Sequence, residues 1–266
     1  MANLKPEGYK NTADIWEFLF QMKERNRPVA AQVGGIDYID DEAVWVLAFP
    51  DFPGIKGYVP SQETGVDTQL VTRFIGQDVM VLIKGLDREN NLLACSRKEL
   101  VDQALQELPK QLNNGDIIPV TIKAIMLDEN RHSKLVVDIG GGVLVDVPHS
   151  AAVYYLSKPL REQYTVGQTV QAMVTNLDPL LVSIRDARPS PWSIADFKRG
   201  QFISGNIYRV ADAYVFIEPD LCPGILGIAS IPLMGEVKRG SSVFCKDPHF
   251  SADDQKLHLF INDYRM

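Results

Sequence analysis

Gly76-Gln-Asp-Val79, Gly167-Gln-Thr-Val170 and Gly240-Ser-Ser-Val243 are three copies of one strand opening. Ahead of each stands a matching apolar strand: Val29-Ala-Ala-Gln-Val33, Ile118-Pro-Val-Thr-Ile122 and Ile203-Ser-Gly-Asn-Ile207. Pairs that recur in fixed order mark repeated folding units. A unit of roughly 70–80 residues is too long for one turn of a solenoid and suits a small independent barrel. A second echo agrees. Phe49-Pro-Asp-Phe-Pro-Gly-Ile-Lys-Gly57 returns, with an added Cys, as Glu218-Pro-Asp-Leu-Cys-Pro-Gly-Ile-Leu-Gly227.

Outward from these anchors, alternation and β-branched content predict five strands in the first unit, over residues 29–38, 43–48, 55–59, 78–86 and 92–96. Thr12 can cap a helix that starts at Ala13. Lys98 to Leu108 reads as a second helix, ended by Pro109, and Ala151 to Tyr164 as a helical insertion. Asp138-Ile-Gly-Gly-Gly142 leads into a strand, not into a helix with a Lys, so it reads as a turn and not as a phosphate cradle. The chain therefore divides into a tail and helix (1–25), a first barrel (26–100), a helical linker (101–114), a second barrel (115–188), a Pro-rich linker (189–197) and a third barrel (198–266).

With 45% hydrophobic residues and a mean hydropathy of −0.07, the composition is that of a globular protein. No apolar run reaches the roughly 18–20 residues of a membrane span, and residues 1–10 carry no secretory pattern. A cytoplasmic protein is expected. Cys95, Cys222 and Cys245 are widely spaced, which points to reduced thiols. Cys222, Cys245, His249 and His258 could be imagined around zinc, but their spacing is no zinc signature, and no metal or cofactor is expected.

The net charge of −7 argues against non-specific duplex binding. It leaves room for single strands, where stacking contributes roughly 1–3 kcal/mol per base. Charge is uneven. Residues 26–100 hold 7 Lys/Arg against 11 Asp/Glu, residues 115–188 hold 7 against 8, and residues 198–266 hold 8 against 8.

Trp45, Gly57-Tyr-Val-Pro-Ser61, Phe74-Ile-Gly-Gln-Asp-Val79, Asp87-Arg-Glu-Asn90 and Ser96-Arg97-Lys98 together resemble the S-one domain of the ribosomal protein S-one family. The resemblance covers residues 12–188 and is weaker over 198–264. It implies a mainly β chain of three tandem five-stranded OB-type barrels with short flanking and linking helices. Unequal copies in so short a chain would suit a divergent or phage-borne relative. The resemblance also implies an RNA face of two early aromatics, a third-strand His and an Asp/basic pair in the last hairpin. Ungapped matching puts the second aromatic on Trp45, Val136 and Phe216, the His on Pro60 or Pro148, and the hairpin Asp on Asp87, Asp178 and Asp253. The hairpin basic residue survives as Lys256.

Aromatic faces stack on the exposed bases of single-stranded RNA. If Val44 and Val46 face the core, Trp45 faces outward; the alternative packs it under the Phe49–Pro53 loop. Alternation likewise turns Tyr214, Phe216, His258 and Phe260 outward beside Lys256. The alternative for that patch is an interface between barrels. The RNA-binding candidates are thus Trp45, Tyr58, Asp87, Arg97, Lys98, Tyr214, Phe216, Asp253, Lys256, His258 and Phe260, with Lys134, His149 and Arg185 as weaker contacts. No catalytic constellation or small-molecule site is visible, so a non-enzymatic protein that binds single-stranded RNA at the ribosome is expected. The competing expectation is an adaptor that docks on a ribosome, polymerase or nuclease without strong RNA binding.

Overall fold

Gly76, Gly167 and Gly240 take φ angles of +81°, +87° and +86°, a region where an L side chain is strained. Each begins the same three-bond clasp. Its N–H donates to a carbonyl on the first strand of its unit: Val33 at 2.7 Å, Ile122 at 2.7 Å and Ile207 at 2.8 Å. The next residue's carbonyl accepts from the N–H of that same first-strand residue, at 3.0, 2.9 and 2.9 Å. Its N–H closes a tight turn onto Phe74, Thr165 or Lys238. The Val that follows then pairs with Ala31, Val120 or Gly205. The repeated motif is therefore the lock that joins the fourth strand of each unit to its first.

These elements belong to a computed structural model that describes residues 12–264 except 40, 129–131, 155–157 and 233–236; the expected tail over residues 1–11 lies outside the described residues. The molecule is mainly β and divides into two compact units, Met1–Asn113 with Val137–Val145 and Asn114–Val136 with Asp146–Met266.

In the first unit, α1 (Thr12–Glu24) lies against a barrel of β1 (Val29–Ile39), β2 (Glu42–Ala48), β3 (Lys56–Pro60), β4 (Asp78–Asp87) and β5 (Leu92–Ser96). Leu19 of the helix is fully buried. The barrel closes in the order β1-β2-β3-β5-β4, with β1 also on β4 and β3 parallel to β5. This is the strand order of an OB barrel. Between β3 and β4 runs α2 (Thr68–Val71), followed by a 3-10 turn over Thr72–Phe74. After β5 comes α3 (Lys98–Gln111), which does not stop at Pro109 as expected. Leu112 N–H bonds Leu108 O, so one more turn forms beyond the proline.

The middle sheet contains β6 (Ile117–Leu127), β7 (Ser133–Asp138), β8 (Leu144–Pro148), β9 (Thr169–Leu177) and β10 (Leu180–Ser183), in the order β10-β9-β6-β7-β8. The sequence of neighbours matches the first barrel, but among the described residues β8 and β10 do not pair, so in place of the expected closed barrel there is an open sheet. The last strand is only four residues long. The Ser183 hydroxyl and the Arg185 N–H instead reach the Ala151 carbonyl. Where a helix over 151–164 was expected, the described residues form two single turns, α4 (His149–Ala152) and α5 (Leu160–Gln163). Pro159 forbids one helix through the segment because it disfavours helical geometry at the residue before it.

After α6 (Pro191–Ile194) a second closed barrel is formed by β11 (Ile203–Val210), β12 (Tyr214–Pro219), β13 (Gly227–Ser230), β14 (Ser242–Ser251) and β15 (Lys256–Tyr264), in the order β11-β12-β13-β15-β14. The proline-marked linker packs against it: Trp192 stacks on Phe250 at 5.9 Å, and Phe197 meets the same ring edge-on at 5.2 Å. In the repeated loop the buried Glu218 carboxylate accepts from Gly224 N–H at 2.8 Å, and Ile225 plugs the core.

Candidate nucleic-acid interface

Strand register sets the correspondence between the two closed barrels. Leu47 pairs with Gly57 in one barrel as Ile217 pairs with Gly227 in the other. One residue further back, Val46 corresponds to Phe216, and Trp45 corresponds to Val215. Both Trp45 and Val215 are fully buried, at 0% exposure.

This corrects the outward placement of Trp45. Its indole stacks on Phe74 with ring centroids 5.2 Å apart, and Nε1 donates to Val71 O at 2.9 Å. The contacts that cover it come from Val71 and Phe74, in the Thr68–Phe74 segment. No face of the ring remains for a base. Arg97 is corrected in the same way. Only 3% exposed, it donates Nη1 to Thr64 O at 2.8 Å and Nη2 to Gly142 O at 2.9 Å, with its guanidinium 5.6 Å from the Phe74 ring centre.

On the first barrel the remaining candidates are scattered. Tyr58 is half-buried between Val46 and Ala94, and Lys98 is exposed at the start of α3. Asp87 caps its own hairpin. The Asn90 side chain and backbone donate to its carboxylate and hold its pKa below the usual carboxylate value. The middle sheet is largely self-satisfied. Lys134 pairs with Asp146. Arg185 makes a two-point contact with Asp186 at 2.8 and 3.3 Å and lies over the Tyr154 ring at 5.7 Å. The hydrogen bond from Arg185 pulls the Asp186 carboxyl down, and the same bond holds the guanidinium up. His149 is half-buried at the start of α4.

On the last barrel the candidates converge. Register aligns Arg209 with Phe216, Phe216 with Ile228, and Ile228 with His258, one continuous row across four strands. Their neighbours Val215, Ile217, Ala229, Leu257 and Leu259 are buried, so the row faces outward. Tyr214 (52% exposed) and Phe260 (60% exposed) lie two residues along β12 and β15, and Lys256 is exposed at the other end of β15. The Arg209 guanidinium rests 4.5 Å from the Phe216 ring centre. Asp253 is exposed in the hairpin turn, where the Ser251 hydroxyl bonds Asp254. The corresponding row of the first barrel is Gly35, Val46, Tyr58 and Ala94, with a single aromatic and no charge. Arg209 and Ile228 are the members absent from the sequence candidates, and Arg209 is the charged one. Its signal is the β-bulge between Ile207 and Arg209, which turns it onto the outer surface.

The thiols take no part in this surface. Burial pushes Cys95 and Cys245 up to about 12 and raises half-buried Cys222 as well. Among the described residues no group of three or more His, Cys, Asp or Glu is placed to hold a metal, and no helix is long and apolar enough to cross a membrane. We expect native protein treated with a thiol reagent at neutral pH to release one slow equivalent, from Cys222, and three after denaturation. Rapid labelling of Cys95 or Cys245 would contradict the burial.

No family model matches the chain. Among curated proteins it is similar to the small ribosomal subunit protein bS1 of Staphylococcus saprophyticus, at 27% identity over 249 residues, 89% of this chain and 59% of that protein. The bS1 of Streptococcus pneumoniae is 25% identical over 237 residues, 79% and 56% of the two chains. That of Staphylococcus aureus is 27% identical over 190 residues, 67% and 46%. The chain spans about half the length of the curated relatives it matches. A crystal structure of a multidomain protein with nucleic acid binding domains from Streptococcus pneumoniae matches over 91% of this chain and 75% of that one, at 13% identity and a TM-score of 0.25, too low to bear on fold or function.

Proposed function

We propose that this relative of the ribosomal protein bS1 family is a non-enzymatic, cytoplasmic protein that binds single-stranded RNA, chiefly through the outer row of its last barrel. The observation that carries this reading is the alignment of Arg209, Phe216, Ile228 and His258 across four strands, flanked by exposed Tyr214 and Phe260. The strands 2–3 face is where OB barrels accept oligonucleotides. Aromatic rings there stack on bases of any sequence.

Arg209 covers Phe216 in the free protein. An arriving base takes the ring, and the guanidinium moves to a phosphate. The lost cation–π contact, about 0.5–1 kcal/mol at an exposed site, is offset by a charge-assisted hydrogen bond of about 1.5–3 kcal/mol. Lys256 and His258 supply further donors at the rim. In this reading the middle sheet is an opened third copy of the same OB-type unit, with the boundaries 26–100, 115–188 and 198–266. The first barrel adds Tyr58 and Lys98. Messenger RNA on the ribosome is the natural ligand.

The test is fluorescence anisotropy with a labelled single-stranded RNA at several salt concentrations. Phe216→Ala and Phe260→Ala should each weaken binding by roughly 10- to 100-fold, the loss of one stacked base, with thermal stability nearly unchanged because both rings lie outside the core. Affinity should fall as salt rises, with a slope near −0.7 per phosphate contacted. Absence of binding at low salt would overturn the reading in favour of a protein-docking adaptor.

A further inference from the structure

Beside the aromatic row, the last barrel carries a basic groove. It is lined by Tyr208, Arg209, Val210 and Val237 to Arg239. The Arg239 guanidinium lies 5.7 Å from the Tyr208 ring centre. The groove opens at both ends. One way, Tyr208 and Arg239 also line a depression that reaches His149, Ser150 and Lys158. The other way, Lys238 and Arg239 line one with Ser204, Ser241, Ser242 and Phe244. Arg239 borders all three.

The sign of this track is opposite to that of the chain. Arg209, Lys238, Arg239 and Lys158 line it in a protein of net charge −7. Its carboxylates are Asp128, which accepts from the His132 N–H at 2.7 Å, and Asp220, which accepts from Asn206 at 3.0 Å, so the four cations outnumber them. Concentrated positive charge, serine hydroxyls and a tyrosine under an arginine are what a phosphodiester chain contacts. Arg209 joins the two surfaces, since it both lines the groove and covers Phe216.

We infer that this groove is a second RNA-contacting segment, which carries the sugar–phosphate backbone of the strand whose bases stack on the Phe216 row. The inference rests on the RNA reading above. It adds that the strand leaves the aromatic row past Arg209 and runs over Tyr208 and Arg239 toward Lys158. Contacts here are to phosphates, so they lengthen the binding site and steepen its salt dependence without adding sequence preference.

The experiment uses the whole chain and two labelled oligouridylates, one of about 6 and one of about 16 nucleotides, the range of OB-fold site sizes. The short RNA fills the aromatic row and the long one also enters the groove. Lys238→Ala combined with Arg239→Ala should weaken the long RNA about tenfold and reduce its salt slope by roughly 1.4, two phosphates at 0.7 each. Binding of the short RNA should not change, and Lys238→Arg with Arg239→Lys should restore the slope. Both side chains are exposed, so folding is not at stake. Equal losses for the two lengths, or an unchanged slope with the long one, would overturn the groove while RNA binding stands. If the unaltered protein binds neither length, the RNA reading fails and the groove with it.

Discussion

Trp45→Ala is expected to unfold the first barrel and not merely to weaken a surface. The indole has no exposed area, stacks on Phe74 and donates to Val71 O. Truncating a buried Trp costs about 3–5 kcal/mol through lost contacts and the cavity left behind. The unpaired Val71 carbonyl adds about 1 kcal/mol or more. A core of this size rarely supplies more than about 3–5 kcal/mol, so the loss equals the whole margin. Circular dichroism melting of the full chain should show the first transition lost or shifted far down. Trp45→Phe should be milder, because it keeps the stack on Phe74 and gives up only the hydrogen bond and part of the volume. A Trp45→Ala protein that melts like the original but loses RNA affinity would return Trp45 to the surface.

That expectation is the reverse of what alternation in β2 suggests. Counting from Val44 and Val46 makes Trp45 an outward residue. The pairing of Leu47 with Gly57 sets the true phase, and in that phase Val46 is the outward one. Val44 is buried too, so the strand is covered on both faces at that end, and a period-2 pattern carries no information there. In β12 alternation holds from Tyr214 to Ile217, and Tyr214 and Phe216 lie outward as their neighbours indicate. The Gly-x-x-Val repeat was legible for a local reason: a positive φ demands glycine whatever the surroundings. Arg97 was not legible, because its burial depends on Thr64 and Gly142, distant in sequence. Pairing of the middle sheet's outer strands was invisible for a similar reason, since β8 and β10 meet or miss through the turns between them and not through their own residues.

Arg97→Ala should lower stability by about 1–3 kcal/mol for each of the two carbonyls it leaves without a partner. The guanidinium is held over Phe74 and fills two carbonyls with its fork. Burial pulls its pKa below the ordinary arginine value, and the Asp138 carboxylate holds it up. Arg97→Lys should recover little, because an ammonium lacks the planar fork that reaches both carbonyls while lying on a ring. The decisive measurement pairs this change with Gly142→Ala. An added Cβ at Gly142 would stand 2.4 Å from the Arg97 guanidinium, at a φ of +83°. With Arg97 present, Gly142→Ala brings both the clash and the backbone strain. With Arg97 already truncated, only the strain remains, about 1–2 kcal/mol. Denaturant melts of the two single variants and the double variant should therefore give costs that sum to clearly more than the double variant loses, a coupling of about 1 kcal/mol or more. Strictly additive costs would mean that Arg97 does not hold the glycine loop. A loss of RNA affinity in Arg97→Ala at unchanged stability would mean that the guanidinium reaches ligand after all.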